Sequence, residues 1–314
     1  MSHKIAFLFP GQGSQTVGMG RELYENHPAA RAVFEEADAA LGFPLSQLCF
    51  EGPEETLKLT EHTQPAILTV SIAAQRVLAE NGITASFAAG HSLGEYSAHV
   101  AAGTLTFADA VRTVRNRGRY MQQAVPAGQG AMAAILSLPA EKIADICRQA
   151  AQETGGIVSP ANLNSPGQTV ISGAVQAVER AAELAKAAGA RRAVMLAVSA
   201  PFHCALMQPA QDALAADLHA LPFSAPQIPV AVNVDAVLVH SADAARDALI
   251  RQVTGSVRWV ECMALLAAQG VTHYIEVGPG KVLCGLMRQI DRTQTCLNVE
   301  DSASLEKTLA ALAG

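Results

Sequence analysis

Five residues, Gly90-His91-Ser92-Leu93-Gly94, constrain this chain more than any other stretch. They form a G-x-S-x-G between a run that reads as a strand and a run that reads as a helix. Glycines two residues either side of a serine let the backbone turn tightly and hold the hydroxyl exposed. The next N–H, that of Leu93 at the helix start, then points where an oxyanion would form. The pattern by itself also fits a glycine-flanked turn with an incidental serine.

The surrounding chain supplies more units of the same kind. Lys4–Phe9 reads as a short apolar strand, broken by Pro10 and the turn Gly11-Gln12-Gly13-Ser14-Gln15, before one long helical stretch ending near Leu41. A helix closes over Gln75–Asn81, Ile83–Ala89 is expected to be extended, and the Gly90–Gly94 turn leads into a further helix. Successive strand-loop-helix units predict an α/β fold with a mostly parallel sheet.

The rhythm changes after Gln123. Val125–Gly130 carries a proline and two glycines and is expected to cross into a different unit. Ala131–Leu138 then reads as a strand, Pro139–Glu153 as a helix with Ile143, Ile146, Cys147 and Ala150 on one face, and Ile157–Asn162 as a strand. A turn at Asn164-Ser165-Pro166-Gly167 leads to a strand at Thr169–Ser172, an alanine-rich helix to Ala188 and a strand at Arg192–Val198. The order β-α-β-β-α-β is the ferredoxin-like pattern. Residues 128–197 are therefore expected to be a small inserted subdomain, with residues 1–127 and 198–314 forming the larger core. The return carries strands at Val230–Val234 and Thr272–Val277, a helix near Asp243–Val253 and another from Lys281.

Composition excludes several functions. The chain has 314 residues, half of them apolar and 16% charged, which places it among globular proteins. Its 22 Lys+Arg against 28 Asp+Glu give a net charge of −6, which argues against nucleic-acid binding. The longest apolar runs fall far short of the roughly 18 residues needed to cross a bilayer, so no membrane role is expected. The N-terminus, Met-Ser-His-Lys and five apolar residues, lacks the h-region and cleavage site of a signal peptide, which predicts a cytoplasmic protein. Six scattered cysteines, Cys49, Cys147, Cys204, Cys262, Cys284 and Cys296, show no metal-ligand spacing and read as buried small residues rather than disulfides. No motif requires a metal or a bound cofactor. Gly11-Gln12-Gly13 has Thr16 where a dinucleotide fingerprint needs glycine, and Gly278-Pro279-Gly280-Lys281 lacks the spacing and the Ser/Thr of a phosphate loop.

A nucleophilic serine needs a base. His203, in Val198-Ser199-Ala200-Pro201-Phe202-His203, follows a predicted strand directly, where catalytic loops leave an α/β sheet. It competes with a structural histidine. No Asp or Glu between Ser92 and His203 falls clearly on a strand end, so a neutral orienter is the alternative to a carboxylate. Gln252 sits in the last turn of a helix, where backbone carbonyls are unpaired, and its C=O is a candidate acceptor for the His203 N–H; a solvated glutamine is the competing reading. Ala110, Val114, Arg117 and Met121 share one helix face. An arginine on an apolar stripe fits a bound carboxylate, a snorkelling side chain or an internal ion pair.

The motifs Phe9-Pro10-Gly11-Gln12-Gly13-Ser14-Gln15, Gly90-His91-Ser92-Leu93-Gly94-Glu95-Tyr96, Arg117-Gly118, Asn164-Ser165-Pro166-Gly167, His203-Cys204-Ala205-Leu206-Met207 and Glu276-Val277-Gly278-Pro279-Gly280 together resemble the malonyl-CoA:acyl carrier protein transacylase family. The resemblance runs in order along nearly the whole chain. It implies an α/β-hydrolase-like core with a ferredoxin-like insertion, and transfer of malonyl from malonyl-CoA to acyl carrier protein through an ester on Ser92. It further implies His203 as general base and acid, the Gln12 and Leu93 N–H groups as the oxyanion hole, the Gln252 carbonyl as the orienter of His203, and Arg117 as the ligand of the malonyl carboxylate. His91, Asn162 and Phe202 complete the candidate substrate contacts. Relatives often have a small residue such as serine where Phe202 stands. A ring there is similar to malonyl-selective polyketide acyltransferases and would crowd C2 of the acyl group; a core phenylalanine without effect on selectivity is equally compatible. Carrier proteins are acidic, and Lys186, Arg191 and Arg192 are candidates for a docking patch. A polyketide acyltransferase, a serine esterase and a noncatalytic binding module are the competing functions.

Overall fold

A computed structural model describes residues 3–198 and 200–313; Met1 and Ser2 of the N-terminal segment, Ser199 of the segment before His203, and Gly314 lie outside the described residues. Two sheets organise the chain. The larger has six strands: β1 (Ile5–Phe9), β2 (Phe87–Gly90), β7 (Val230–Val232), β8 (Val237–Val239), β9 (His273–Val277) and β10 (Thr295–Val299). Their spatial order is β10-β9-β1-β2-β7-β8. Every pairing is parallel except β7 with β8. The intervening β3 (Gly130–Leu136), β4 (Val158–Ser165), β5 (Gln168–Ala174) and β6 (Arg192–Met195) form an antiparallel sheet ordered β4-β5-β3-β6. Counted within that sheet, the order is second-third-first-fourth, the ferredoxin-like arrangement that the β-α-β-β-α-β pattern predicts.

The central strand explains why the large sheet is parallel and buried on both faces. All five residues of β1 are apolar and buried. Phe7 and Phe9 point to one core with Ile67 and Leu93, while Ala6 and Leu8 point to the other with Trp259 and Tyr274. A strand buried on both faces needs an unbroken apolar run rather than an alternating one. The small sheet is covered on one face only, by the helices Ala140–Thr154 and Val175–Ala187. Ile143, Ile146, Cys147 and Ala150 form the buried stripe of the first, as their spacing predicts. The two sheets are stitched where Leu163 N–H donates to the Val257 carbonyl at 2.9 Å and Val257 N–H to Ala161 at 2.8 Å.

Four expectations change. The stretch ending at Leu41 is two helices, Arg21–Asn26 and Pro28–Leu41, because Pro28 disfavours helical geometry at His27, which is extended. The strand expected over Ile83–Ala89 is confined to Phe87–Gly90, the part that pairs with β1. The last strand of the small sheet ends at Met195, and residues 196–198 pass out of it toward the site. Finally, Cys284 and Cys296 are joined as a disulfide with Cα atoms 5.4 Å apart, against the expectation that all six cysteines are unpaired. One lies on the first turn of the helix Val282–Ile290 and the other on β10, which the parallel β9–β10 pairing brings alongside. The remaining four are free and buried.

Two glycines test how much the fold depends on close backbone approach. A Cβ on Gly94 would collide with the Phe9 carbonyl, whereas one on Gly285, inside a helix, meets nothing within 4 Å. Urea unfolding is expected to show Gly94→Ala destabilised by about 3 kcal/mol. Gly285→Ala is expected to be stabilised by about 0.5–1 kcal/mol.

Candidate active site

Three loops converge at the carboxyl edge of the parallel sheet, the usual place for a site in an open α/β fold. The register Phe9↔Gly90 sets the Gly11–Gln12 loop after β1 beside the turn after β2. That turn is tight because two glycines allow backbone to lie on backbone. A Cβ on Gly90 would strike the Gly94 carbonyl, and one on Gly11 would strike the His91 carbonyl. Between them Ser92 takes a φ of 51°, a left-handed conformation that is costly for a residue with a side chain. The helix Gly94–Ala101 starts immediately after. Neither the Leu93 nor the Gln12 N–H has an acceptor among the described residues.

Ser92 Oγ lies 2.7 Å from Nε2 of His203. On the other side of the ring, Nδ1 is 3.0 Å from the Gln252 carbonyl and 3.1 Å from that of Gly255. Both are acceptors, so the proton sits on Nδ1 and Nε2 is left to accept from the serine. The sequence directs attention to the first carbonyl and misses the second. Gln252 is wholly buried, which removes the solvated-glutamine reading. Burial, then the charge of Arg117, push His203 down to about 3, with the two carbonyls opposing and His91 adding to the fall. The imidazole is therefore neutral at neutral pH.

Arg117 is buried on its helix, with its guanidinium inside rather than snorkelling. Nη1 donates to Gln64 Oε1 at 2.9 Å, and Nη2 donates to Gln252 Oε1 at 2.9 Å and to Ser92 Oγ at 3.3 Å. Its plane lies over Tyr96 at 5.6 Å. Gly118 permits this, because a Cβ there would come within 2.6 Å of the Thr60 carbonyl on the helix Thr60–Glu80, which carries Gln64. No carboxylate of the described residues forms an ion pair with Arg117, so the internal-pair reading falls. A buried cation whose hydrogen-bond partners are all neutral has the chemistry to take up an anion.

These groups face a cavity of about 260 Å³. Gln12, Ser92, Leu93, Arg117 and His203 line its floor, and Met132, Ala134 and Val170 of the small sheet, with Leu196 and Val198, roof it. Phe202 and Asn162 also line it. Asn162 arrives at an irregularity in β4, where the strand bridges to Val257. His91 does not reach Ser92: its Nε2 bonds Asn164 Oδ1 at 2.7 Å and its ring packs against Trp259. Burial lowers its pKa, so it too is neutral. Lys186, Arg191 and Arg192 are exposed on the small sheet's outer side, Arg192 on its edge strand β6. Sequence reasoning missed Gln64, Glu95 and Asn233, all buried. Glu95 carried a signal as part of the Gly90–Tyr96 motif, and Asn233 as the polar residue interrupting an apolar strand.

Residues 6–305 match the family described as acyl transferase domain. The malonyl CoA-acyl carrier protein transacylase of Escherichia coli K12 is 52% identical over 307 residues, covering 98% of this chain and 99% of that protein. The solved malonyl CoA-acyl carrier protein transacylase of Coxiella burnetii superposes with a TM-score of 0.97 at 44% identity, covering 100% and 99% of the two chains. A malonyl-transacylase solved in complex with its type II polyketide acyl-carrier protein superposes at 0.95 with 49% identity, covering 98% and 99%.

The lowered His203 pKa has a consequence for stability. An unfolded histidine titrates near 6.5, so below that pH the unfolded chain binds a proton that the native site refuses, and stability falls as pH drops from 6.5 toward 3. Calorimetry at pH 7 and pH 5 is expected to show wild type losing stability, with His203→Asn losing less by on the order of 1 kcal/mol.

Proposed function

The chain belongs to the acyl transferase domain family, and from that we infer the reaction: it transfers malonyl from malonyl-CoA to the phosphopantetheine thiol of acyl carrier protein, for fatty acid synthesis. The observation that carries the assignment is the pairing of a serine–histidine couple at 2.7 Å with a buried arginine lacking any carboxylate partner. An esterase needs the first feature and has no use for the second. We take residues 1–127 and 198–314 as the catalytic core, residues 128–197 as the small subdomain over it, and the cytoplasm as the place of work.

In this reading Ser92 Oγ attacks the thioester carbonyl of malonyl-CoA while His203 Nε2 takes its proton. The tetrahedral oxyanion is held by the N–H groups of Gln12 and Leu93. Collapse expels the coenzyme A sulfur, which receives the proton back from Nε2, and leaves malonyl as an ester on Ser92. The carrier thiol then gives its proton to Nε2 and attacks the ester, and the second collapse returns the proton to Ser92 Oγ. The Gln252 and Gly255 carbonyls keep the His203 ring and tautomer fixed throughout. His91, bonded to Asn164, and Asn162 border the acyl group and its thioester. The apolar roof limits water, which would otherwise hydrolyse the ester.

Arg117 acts twice. Its guanidinium receives the free carboxylate of malonyl in place of the missing counter-ion. Its charge also depresses His203, so a carboxylate seated on it relieves that repulsion and makes the imidazole a better base when the correct acyl group is present. Selection of malonyl over acetyl then draws on the rate of acylation as well as on binding.

The polyketide variant has the same chemistry and a different carrier. A polyketide carrier occupies the complex of the 49% identical neighbour, so discharge onto fatty-acid and polyketide carriers separates the two. Intact-mass measurement after mixing with malonyl-CoA is expected to show one malonyl adduct that disappears in Ser92→Ala and is discharged by carrier thiol. Coenzyme A release without an adduct, and without need of a carrier, would make the chain an esterase.

Arg117→Ala is expected to lower kcat/KM for malonyl-CoA by about 100-fold, as for loss of a charge-assisted pair, while acetyl transfer changes much less. Equal losses with both donors would remove Arg117 from carboxylate recognition. Phe202→Ser is expected to raise the methylmalonyl-to-malonyl ratio of kcat/KM by about 10-fold, the worth of a methyl group in an apolar pocket. An unchanged ratio would make Phe202 a packing residue only.

A further inference from the structure

Ser92 sits in a left-handed conformation, and something must hold it there. The turn's own hydrogen bonds, Gly94 N–H to His91 and Glu95 N–H to Ser92, close it from one side. From the other side come two side-chain amides, Gln252 on the Ser92 carbonyl and Asn233 on the Gly90 carbonyl and the Ser92 N–H. Asn233 lies one position past β7, and the register Ala89↔Ala231 sets it level with the turn. Its Oδ1 accepts the Ser92 N–H at 2.8 Å, and its Nδ2 donates to the Gly90 carbonyl at 2.8 Å. One amide thus grips the turn before and at the nucleophile. It is itself fixed, because its backbone N–H donates to Glu95 Oε2 at 2.7 Å and its carbonyl accepts from Arg258 N–H at 3.1 Å. Asn233 is wholly buried and is not among the residues lining the cavity.

Resting on the function proposed above, we propose that Asn233, braced by Glu95, is a positioning residue that holds Ser92 on line with His203 and keeps the Ser92 N–H occupied, so that Leu93 and Gln12 alone present donors to the oxyanion. The link to the base is direct. Gln252, whose carbonyl orients His203, donates from Nε2 to the Ser92 carbonyl at 3.0 Å and toward Asn233 Oδ1 at 3.4 Å. Nucleophile, base and arginine therefore share one buried network, in which Asn233 grips the nucleophile's turn from outside the cavity lining. Glu95 fits the brace because it makes no ion pair among the described residues and its Oε2 is taken by the Asn233 N–H; burial raises its pKa to about 7. Its other oxygen, Oε1, has no hydrogen-bond partner.

The test uses the whole enzyme and two readouts: single-turnover acylation by malonyl-CoA, and labelling by a small fluorophosphonate, which reports Ser92 nucleophilicity without any acyl carboxylate. In Asn233→Ala both rates are expected to fall about 10- to 100-fold. KM for malonyl-CoA is expected to stay within about threefold, since the carboxylate site is untouched. A folded variant that labels and acylates at wild-type rates, or one that raises KM while labelling stays unchanged, overturns the proposal. Where Asn233→Ala does not fold, Asn233→Asp decides: it keeps an acceptor for the Ser92 N–H but loses the donor to Gly90, and is expected to lose rate in both assays. Wild-type rates in that variant overturn the proposal as well. If wild type is labelled by the fluorophosphonate yet takes no malonyl, the proposed function fails while the labelling comparison still judges Asn233.

Discussion

The catalytic apparatus depends on backbone lying directly against backbone where the two central strands end. Phe9 and Gly90 are paired residues at the ends of β1 and β2. Beyond them the chain at Gly94 packs against the Phe9 carbonyl, and Gly11 against the carbonyl of His91, with no room for a side chain at either. That contact fixes the distance between the two loops that carry Gln12 and Leu93, and it forces Ser92 into the left-handed conformation that lifts its hydroxyl toward His203. Strain of this kind persists only where the surroundings over-determine it. Two buried sheet faces and the Asn233 side chain do so here.

Electrostatically the site is built from neutral groups around one charge. Arg117 meets two glutamines, a serine hydroxyl and a tyrosine face, and His203 is oriented by two carbonyls rather than by a carboxylate. A buried carboxylate beside His203 would stabilise the imidazolium and also compete with the substrate for Arg117. Without one, the hydrogen-bond partners of Arg117 are all neutral, and in the mechanism we propose its charge is kept for the incoming acid, whose binding strengthens the base. Removing a charge from water without a partner is costly. The cost is offset here by neutral hydrogen bonds to Gln64 on the helix Thr60–Glu80, to Gln252 at the end of the helix Ala242–Arg251 and to Ser92 in its tight turn.

The small sheet has its helices on one face only, and its other face, with Met132, Ala134 and Val170, closes the cavity from above. An unpaired apolar sheet face would be a liability on a monomer's surface. Here it is placed over Ser92, where it roofs the cavity with apolar side chains. The two backbone hydrogen bonds between Val257 and β4 hold it at the right height and carry Asn162 and Asn164 to the rim.

Much of this was legible in the sequence because it rests on local rules. The apolar run of β1, the G-x-S-x-G turn, the helix face bearing Arg117 and the β-α-β-β-α-β order each follow from spacing within a few dozen residues. The break between the first two helices is local as well, since Pro28 disfavours helical geometry at His27. Other features had no local signature. The Cys284–Cys296 pairing depends on which strand lies beside β9. The second carbonyl on His203, the lack of an ion-pair partner for Arg117 among the described residues, and the grip of Asn233 and Glu95 on the Ser92 turn depend on residues as far apart as 143 positions. The sequence by itself determined the elements and the chemistry that its side chains can perform, because propensity and reactivity are properties of short stretches. Only the tertiary structure decided which neutral groups surround the charge and what holds the strained serine, because burial and hydrogen-bond partnership exist only once distant segments are packed together.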